Sequence, residues 1–103
     1  MQNLKIHITG NIYRVGFRYF IKQMAERFGV FGLVQYSKDK SILIEASGKE
    51  YSLDQFLIFC RLGCQGSKVE KISISENQIQ YNNSFEIEFE DYEKNQTPTS
   101  EKE

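Results

Sequence analysis

One histidine and two cysteines in 103 residues leave little material for several common chemistries. Cys60 and Cys64 stand four apart in a helical pattern and its end, too few and too isolated for a disulfide framework or a zinc site, and they are expected to be reduced thiols. His7 falls on the polar face of a strand pattern with no partner evident in sequence, so no catalytic role is assigned to it. No metal-ligand constellation, no Ser/His/Asp or Cys/His pattern and no nucleotide loop ending in Gly-Lys-Ser/Thr is present. No cofactor or metal is therefore expected. No apolar run approaches membrane-spanning length, and Met1 to Leu4 carries no basic region leading into an apolar stretch, so membrane insertion and export are not expected either. A cytoplasmic location is expected.

Strong charge of one sign is also missing. The net charge of −1 conceals an asymmetry, because residues from Glu86 onward hold seven acidic side chains and two lysines, leaving the first 85 residues at +4. That balance suits small anions and is too weak and scattered for a nucleic-acid surface.

The patterns that are present describe one domain. Leu4, Ile6 and Ile8 alternate with Lys5, His7 and Thr9, predicting a strand over about 3–9. Phe17, Phe20, Ile21, Met24, Ala25 and Phe28 follow helical spacing, with Gly29 placed as a C-cap. Val30 to Ser37 reads as a second strand in which Gly32 permits a bend or close approach. Lys38-Asp39-Lys40 is a turn, and Ile42, Ile44 and Ala46 mark a third strand in an antiparallel hairpin with the second. Ser52 and Gln55 form a candidate capping box for a second helix through Leu53, Phe56, Leu57 and Cys60, ending at Gly63. Val69, Ile72 and Ile74 mark a fourth strand whose alternation slips near Glu70 and Lys71, as at a bulge. After an Asn82-Asn83 turn, Phe85, Ile87 and Phe89 alternate with Glu86, Glu88 and Glu90, giving a last strand with a solvated acidic face. From Asp91 the composition turns polar and aperiodic, so residues 1–91 are expected to fold and 92–103 to be a disordered tail. The order βαββαβ plus a further C-terminal strand predicts an α+β sandwich with two helices on one face of an antiparallel sheet.

Between the first strand and first helix lies Ile8-Thr9-Gly10-Asn11-Ile12-Tyr13-Arg14-Val15-Gly16-Phe17-Arg18, a loop with glycines and two arginines. Arg18 falls in the first helical turn, where backbone N–H groups and the positive end of the macrodipole favour an anion. A guanidinium there can grip two phosphate oxygens at once.

This loop resembles the phosphate-binding signature of acylphosphatases, written G-x-V-Q-G-V-x-F-R. Gly10, Val15, Phe17 and Arg18 match, and Ile12 is a close replacement for Val. The likeness extends through Gly29-Val30-Phe31-Gly32-Leu33-Val34 and the later elements, from about Leu4 to Glu90. It implies a ferredoxin-like fold and metal-independent hydrolysis of acyl phosphates, with the loop backbone of Tyr13, Arg14, Val15, Gly16 and Phe17 and the side chain of Arg18 holding the phosphoryl group. In that family an asparagine in G-x-V-x-N orients the attacking water. Here the stretch is Gly32-Leu33-Val34-Gln35-Tyr36, which puts Tyr36 in the water-positioning place, and Tyr13 and Arg14 replace the signature's Gln and Gly.

Each departure leaves alternatives open. Tyr36 either enters the site, where its longer side chain fills the water's place, or is an aromatic strand residue with an exposed hydroxyl. Arg14 either strains a turn that requires positive φ or adds a second guanidinium over the anion; Arg14 and Lys22 are equally readable as surface charges. The functional alternatives are a hydrolase slowed by Tyr36, an inactive relative that binds phosphate, sulfate or another small anion, and a protein-interaction domain. A monomer is expected.

Overall fold

The computed structural model describes residues 1–89, so the tail expected over 92–103 lies outside the described residues. The elements run β1 (Gln2–Asn11), α1 (Phe17–Phe28), β2 (Phe31–Tyr36), β3 (Ile42–Gly48), α2 (Glu50–Leu62), β4 (Lys68–Glu76) and β5 (Phe85–Ile87). Among the described residues, no helix is long and apolar enough to cross a membrane.

The period-2 pattern of β1 and β3 works as the sequence implies. Ile6 and Ile8 of β1 and Ile42, Ile44 and Ala46 of β3 are buried on one face, while Lys5, His7, Leu43 and Glu45 occupy the other and stay at least partly exposed. Onto the buried face pack Phe17, Ile21, Met24 and Ala25 of α1 and Leu53, Phe56 and Cys60 of α2. Each large side chain so buried contributes about 1.5–3 kcal/mol of hydrophobic stabilisation. Gly29 caps α1 at φ 71°, its N–H reaching the carbonyls at the helix end, and Gly63 follows α2. Ser52 and Gln55 do not form a capping box. The helix begins two residues earlier at Glu50 and has no side-chain cap, Lys49 supplying the carbonyl that receives the Leu53 N–H.

The five strands are ordered β4-β1-β3-β2-β5. Thr9 pairs with Lys71 and Gly10 with Val69, which leaves Glu70 as an extra residue and accounts for the slip in the pattern of β4. The sheet is not wholly antiparallel, because β5 runs parallel to β2. The path of the chain explains this correction. After β4, the segment leading to β5 passes beneath the end of the sheet, with Asn77 N–H on the Asn3 carbonyl, Tyr81 N–H on Ser47 Oγ, and Ser84 carbonyl receiving the Gly32 N–H. It reaches the far edge at the start of β2 and can only enter alongside it, in the same direction. At Gly32, φ is 142° and an added Cβ would lie 1.8 Å from the Glu45 carbonyl oxygen, so close approach there requires glycine.

Candidate functional site

The loop between β1 and α1 is pinned at both ends by its own apolar residues. Ile12 and Phe17 are both fully buried, so the intervening backbone is forced outward at the end of the sheet. Gly16 is the residue before the helix, at φ 78°, and its carbonyl receives the Phe20 N–H at 3.0 Å. The N–H groups of Phe17, Arg18 and Tyr19 belong to the first turn, where helix geometry supplies no partner, and that turn carries no acidic side chain. The combination favours an anion.

Arg18 stands in this turn close to two aromatic rings. Its guanidinium carbon lies 4.2 Å from the centroid of Tyr36 and 4.7 Å from that of Phe89. At these distances both rings attract the guanidinium and hold it beside the loop. Its fork of charged N–H donors is of the kind that grips an oxyanion bidentately.

Tyr36 is 2% exposed, so it is not a strand aromatic with its hydroxyl in solvent. The hydroxyl accepts the Arg14 N–H at 2.9 Å and donates to the Ile12 carbonyl at 3.3 Å. Thus the Tyr36 side chain is tied into the loop backbone and takes up one of the loop's donors. Arg14 sits at φ 59°, in the left-handed region, where a residue with a Cβ carries about 1–2 kcal/mol of strain. The two departures from the signature, at 14 and 36, therefore meet through one hydrogen bond.

The Tyr13 ring packs 4.8 Å from that of Tyr36. Around it gather two cations, the Arg14 guanidinium at 5.5 Å and the Lys40 ammonium at 4.9 Å from its centroid. Val15 is half-buried and its carbonyl receives the Cys64 thiol at 3.6 Å. Cys60, by contrast, is sealed in the core, where burial pushes its thiol well above the usual range. Lys22 stands apart from this constellation: it donates to the Phe85 carbonyl at 2.6 Å and pairs with Glu26 at 2.9 Å, joining α1 to β5. The Glu26 hydrogen bond raises its pKa.

Arg18, Tyr36, Tyr13 and Arg14 are thus brought together, while the side chain of Phe17 serves the core and only its backbone faces the loop. Sequence reasoning missed two neighbours. Phe89 was readable only as an apolar strand position, and Lys40 only as part of a turn. Neither has a local signal, because each reaches the loop from a distant part of the chain.

Comparison with known proteins bears on this geometry. Residues 4–87 match the family model described as acylphosphatase. An acylphosphatase of Archaeoglobus fulgidus is 34% identical over 86 residues, covering 84% of this chain and 97% of the relative. One from Ligilactobacillus salivarius is 34% identical over 90 residues, covering 86% and 100%. The crystal structure of acylphosphatase from Bacillus subtilis superposes with a TM-score of 0.81 at 31% identity, covering 85% of this chain and 99% of that one.

Proposed function

The chain belongs to the acylphosphatase family, and from that premise we propose that it hydrolyses acyl phosphates to a carboxylate and inorganic phosphate, without a metal and slowly. An acyl phosphate is a mixed anhydride with a good carboxylate leaving group, so positioning and charge stabilisation suffice for its cleavage. In this reading the in-plane N–H donors of Arg18 hold two phosphoryl oxygens, and the loop N–H groups at Val15, Gly16 and Phe17 hold the phosphoryl group from the helix end. Water then attacks phosphorus as the bond to the acyl oxygen breaks. The observation that carries the proposal is the Arg18 guanidinium held against the Tyr36 and Phe89 rings at the head of α1.

The low rate follows from Tyr36. Its proton is committed to the Ile12 carbonyl and one lone pair to the Arg14 N–H, so a phenol oxygen with one remaining lone pair stands where an amide would align the water. Loss of that alignment reduces the rate by about 10²–10⁴. The test is turnover of benzoyl phosphate in chelator-treated buffer. The wild type should turn over slowly, Arg18→Ala should lose a further ~100-fold or more, and Tyr36→Asn should be faster than wild type. Undiminished turnover in Arg18→Ala would remove Arg18 from the mechanism.

The bond from Arg14 N–H to Tyr36 also favours a second reading, a module that binds phosphate or sulfate without turning substrate over. It requires a silent wild type whose melting temperature rises in millimolar phosphate, and rises less in Arg18→Ala. Under either reading the chain acts as a cytoplasmic monomer with both thiols reduced.

A further inference from the structure

Helix α1 meets the segment of β5 at two places one helical turn apart. Arg18 and Lys22 stand four residues apart on α1, so both project from the same side of the helix. Arg18 meets the Phe89 ring, its guanidinium carbon 4.7 Å from the centroid. Lys22 donates from Nζ to the Phe85 carbonyl at 2.6 Å. The segment therefore runs along α1 with Phe85 beside Lys22 and Phe89 beside Arg18.

The carbonyl that Lys22 takes is one that β2 does not reach. β5 ends the strand order and is three residues long. On its inner side the Ser84 carbonyl receives the Gly32 N–H and the Glu88 N–H reaches the Val34 carbonyl, each at 2.9 Å. Successive carbonyls of a strand point to opposite edges, which turns that of Phe85 outward, toward α1. Phe85 itself is fixed by burial, packed edge-on to Phe56. Phe89 is not anchored in this way. It lies past the strand and is 39% exposed, so the approach of α1 to β5 decides whether its ring stays on Arg18.

The Lys22 ammonium acts locally. Its Nζ stands 2.9 Å from Glu26 and 3.8 Å from Glu86, and two carboxylates so close offset its pull on an anion in the loop. What it supplies is a charged hydrogen bond to backbone, one of the stronger kind.

We propose that Lys22 is a positioning residue for the anion site: its bond to the Phe85 carbonyl sets the spacing of α1 and β5 at which the Phe89 ring holds the Arg18 guanidinium. The inference rests on the phosphate-binding role of Arg18 and adds a residue that acts through it. A misplacement of about 1 Å costs about 100-fold in rate. Tyr36 still holds Arg18 when Phe89 shifts, so the loss expected here is smaller, about three- to tenfold.

The experiment measures phosphate affinity by calorimetry, and kcat and KM for benzoyl phosphate, in wild type, Lys22→Met, Lys22→Arg, Phe89→Leu and the double variant Lys22→Met/Phe89→Leu. Lys22→Met keeps the stem and removes the donor. It should weaken phosphate binding about three- to tenfold, as should Phe89→Leu. The double variant should bind no more weakly than Phe89→Leu alone, and Lys22→Arg should bind as wild type does. A bond that serves stability alone would lower the melting temperature of Lys22→Met and leave its phosphate affinity unchanged, which overturns the proposal. Losses that multiply in the double variant also overturn it, because Lys22 would then act otherwise than through Phe89. Phosphate affinity that depends on Lys22 in a protein without turnover keeps the positioning role and overturns the hydrolase. Turnover with kcat and KM unchanged in Lys22→Met keeps the hydrolase and overturns the positioning role. A wild type that neither binds phosphate nor turns over substrate overturns both.

Discussion

Two connections meet at one end of the sheet, the loop from β1 to α1 and the turn from β2 to β3, and they solve the same problem by opposite means. Each holds a non-glycine residue in the left-handed region, Arg14 at φ 59° and Lys40 at φ 68°. The turn is closed by its own side chains, with Asp39 receiving Ser37 and Ser41 within five residues of chain. The loop is closed from outside, its Arg14 N–H and Ile12 carbonyl satisfied by Tyr36, more than twenty residues away. Self-closure makes a rigid wall. Closure by a distant residue makes a loop whose shape, and any anion site within it, depends on what that residue is.

The largest effect that can break this comparison lies at the entry to the loop. At Gly10 φ is 143°, and an added Cβ would lie 2.1 Å from the Lys68 carbonyl oxygen, whereas at Gly16 the same atom meets open space. Gly10→Ala should destabilise by more than about 3 kcal/mol in urea unfolding, and Gly16→Ala by only about 1–2 kcal/mol of left-handed strain. Equal losses would mean that β4 does not fix the loop.

Next in size is Tyr36→Phe. It strands a backbone donor and acceptor and should destabilise by about 1–3 kcal/mol. Ser37→Ala should cost about 1 kcal/mol or less, since Ser41 still holds Asp39. A turn variant as damaging as the loop variant would erase the distinction between local and distant closure.

Smaller still is the strain. Arg14→Gly should change stability by about 1 kcal/mol or less, left-handed relief being offset by chain entropy. Combined with Tyr36→Phe it should be non-additive by about 0.5 kcal/mol or more, while Lys40→Gly with Tyr36→Phe should add. Chevron or equilibrium urea measurements on the three singles and two doubles decide this.

The smallest effect is a pH dependence of the turn. Hydrogen bonds from Ser37, then Ser41, hold the Asp39 carboxyl well below the usual carboxylate range. A depressed folded-state pKa contributes stability that is present above the unfolded value of about 4 and lost as pH falls through the folded one. Melting temperature should therefore decline more steeply below about pH 4 in wild type than in Asp39→Asn. Parallel acid limbs would show that these hydrogen bonds do not stabilise the turn.

Much of the fold was legible in the chain. Alternation in 4–8 and 42–46, helical spacing from Phe17, and glycines at 29 and 63 set strands, helices and their ends because those signals are local. The slip at Glu70 was visible as a broken period and proved to be the bulge opposite Gly10. The direction of β5 was not visible, since it depends on where the segment after β4 crosses the sheet. In the site, Arg18 and Tyr36 could be picked out through the resemblance, yet the contact between positions 36 and 14 could not, and neither could Phe89 or Lys40.

By itself, then, the sequence determined which residues face the core, where the chain turns, and that a loop bearing glycines and two arginines precedes α1. These follow from periodicity and from backbone preferences acting over a few residues. Only the tertiary structure decided that the Tyr36 hydroxyl closes the loop, that Phe89 meets Arg18, and that Lys40 stands over Tyr13. Those contacts join side chains whose separation is set by sheet order, register and twist, and no local pattern encodes a distance between strands.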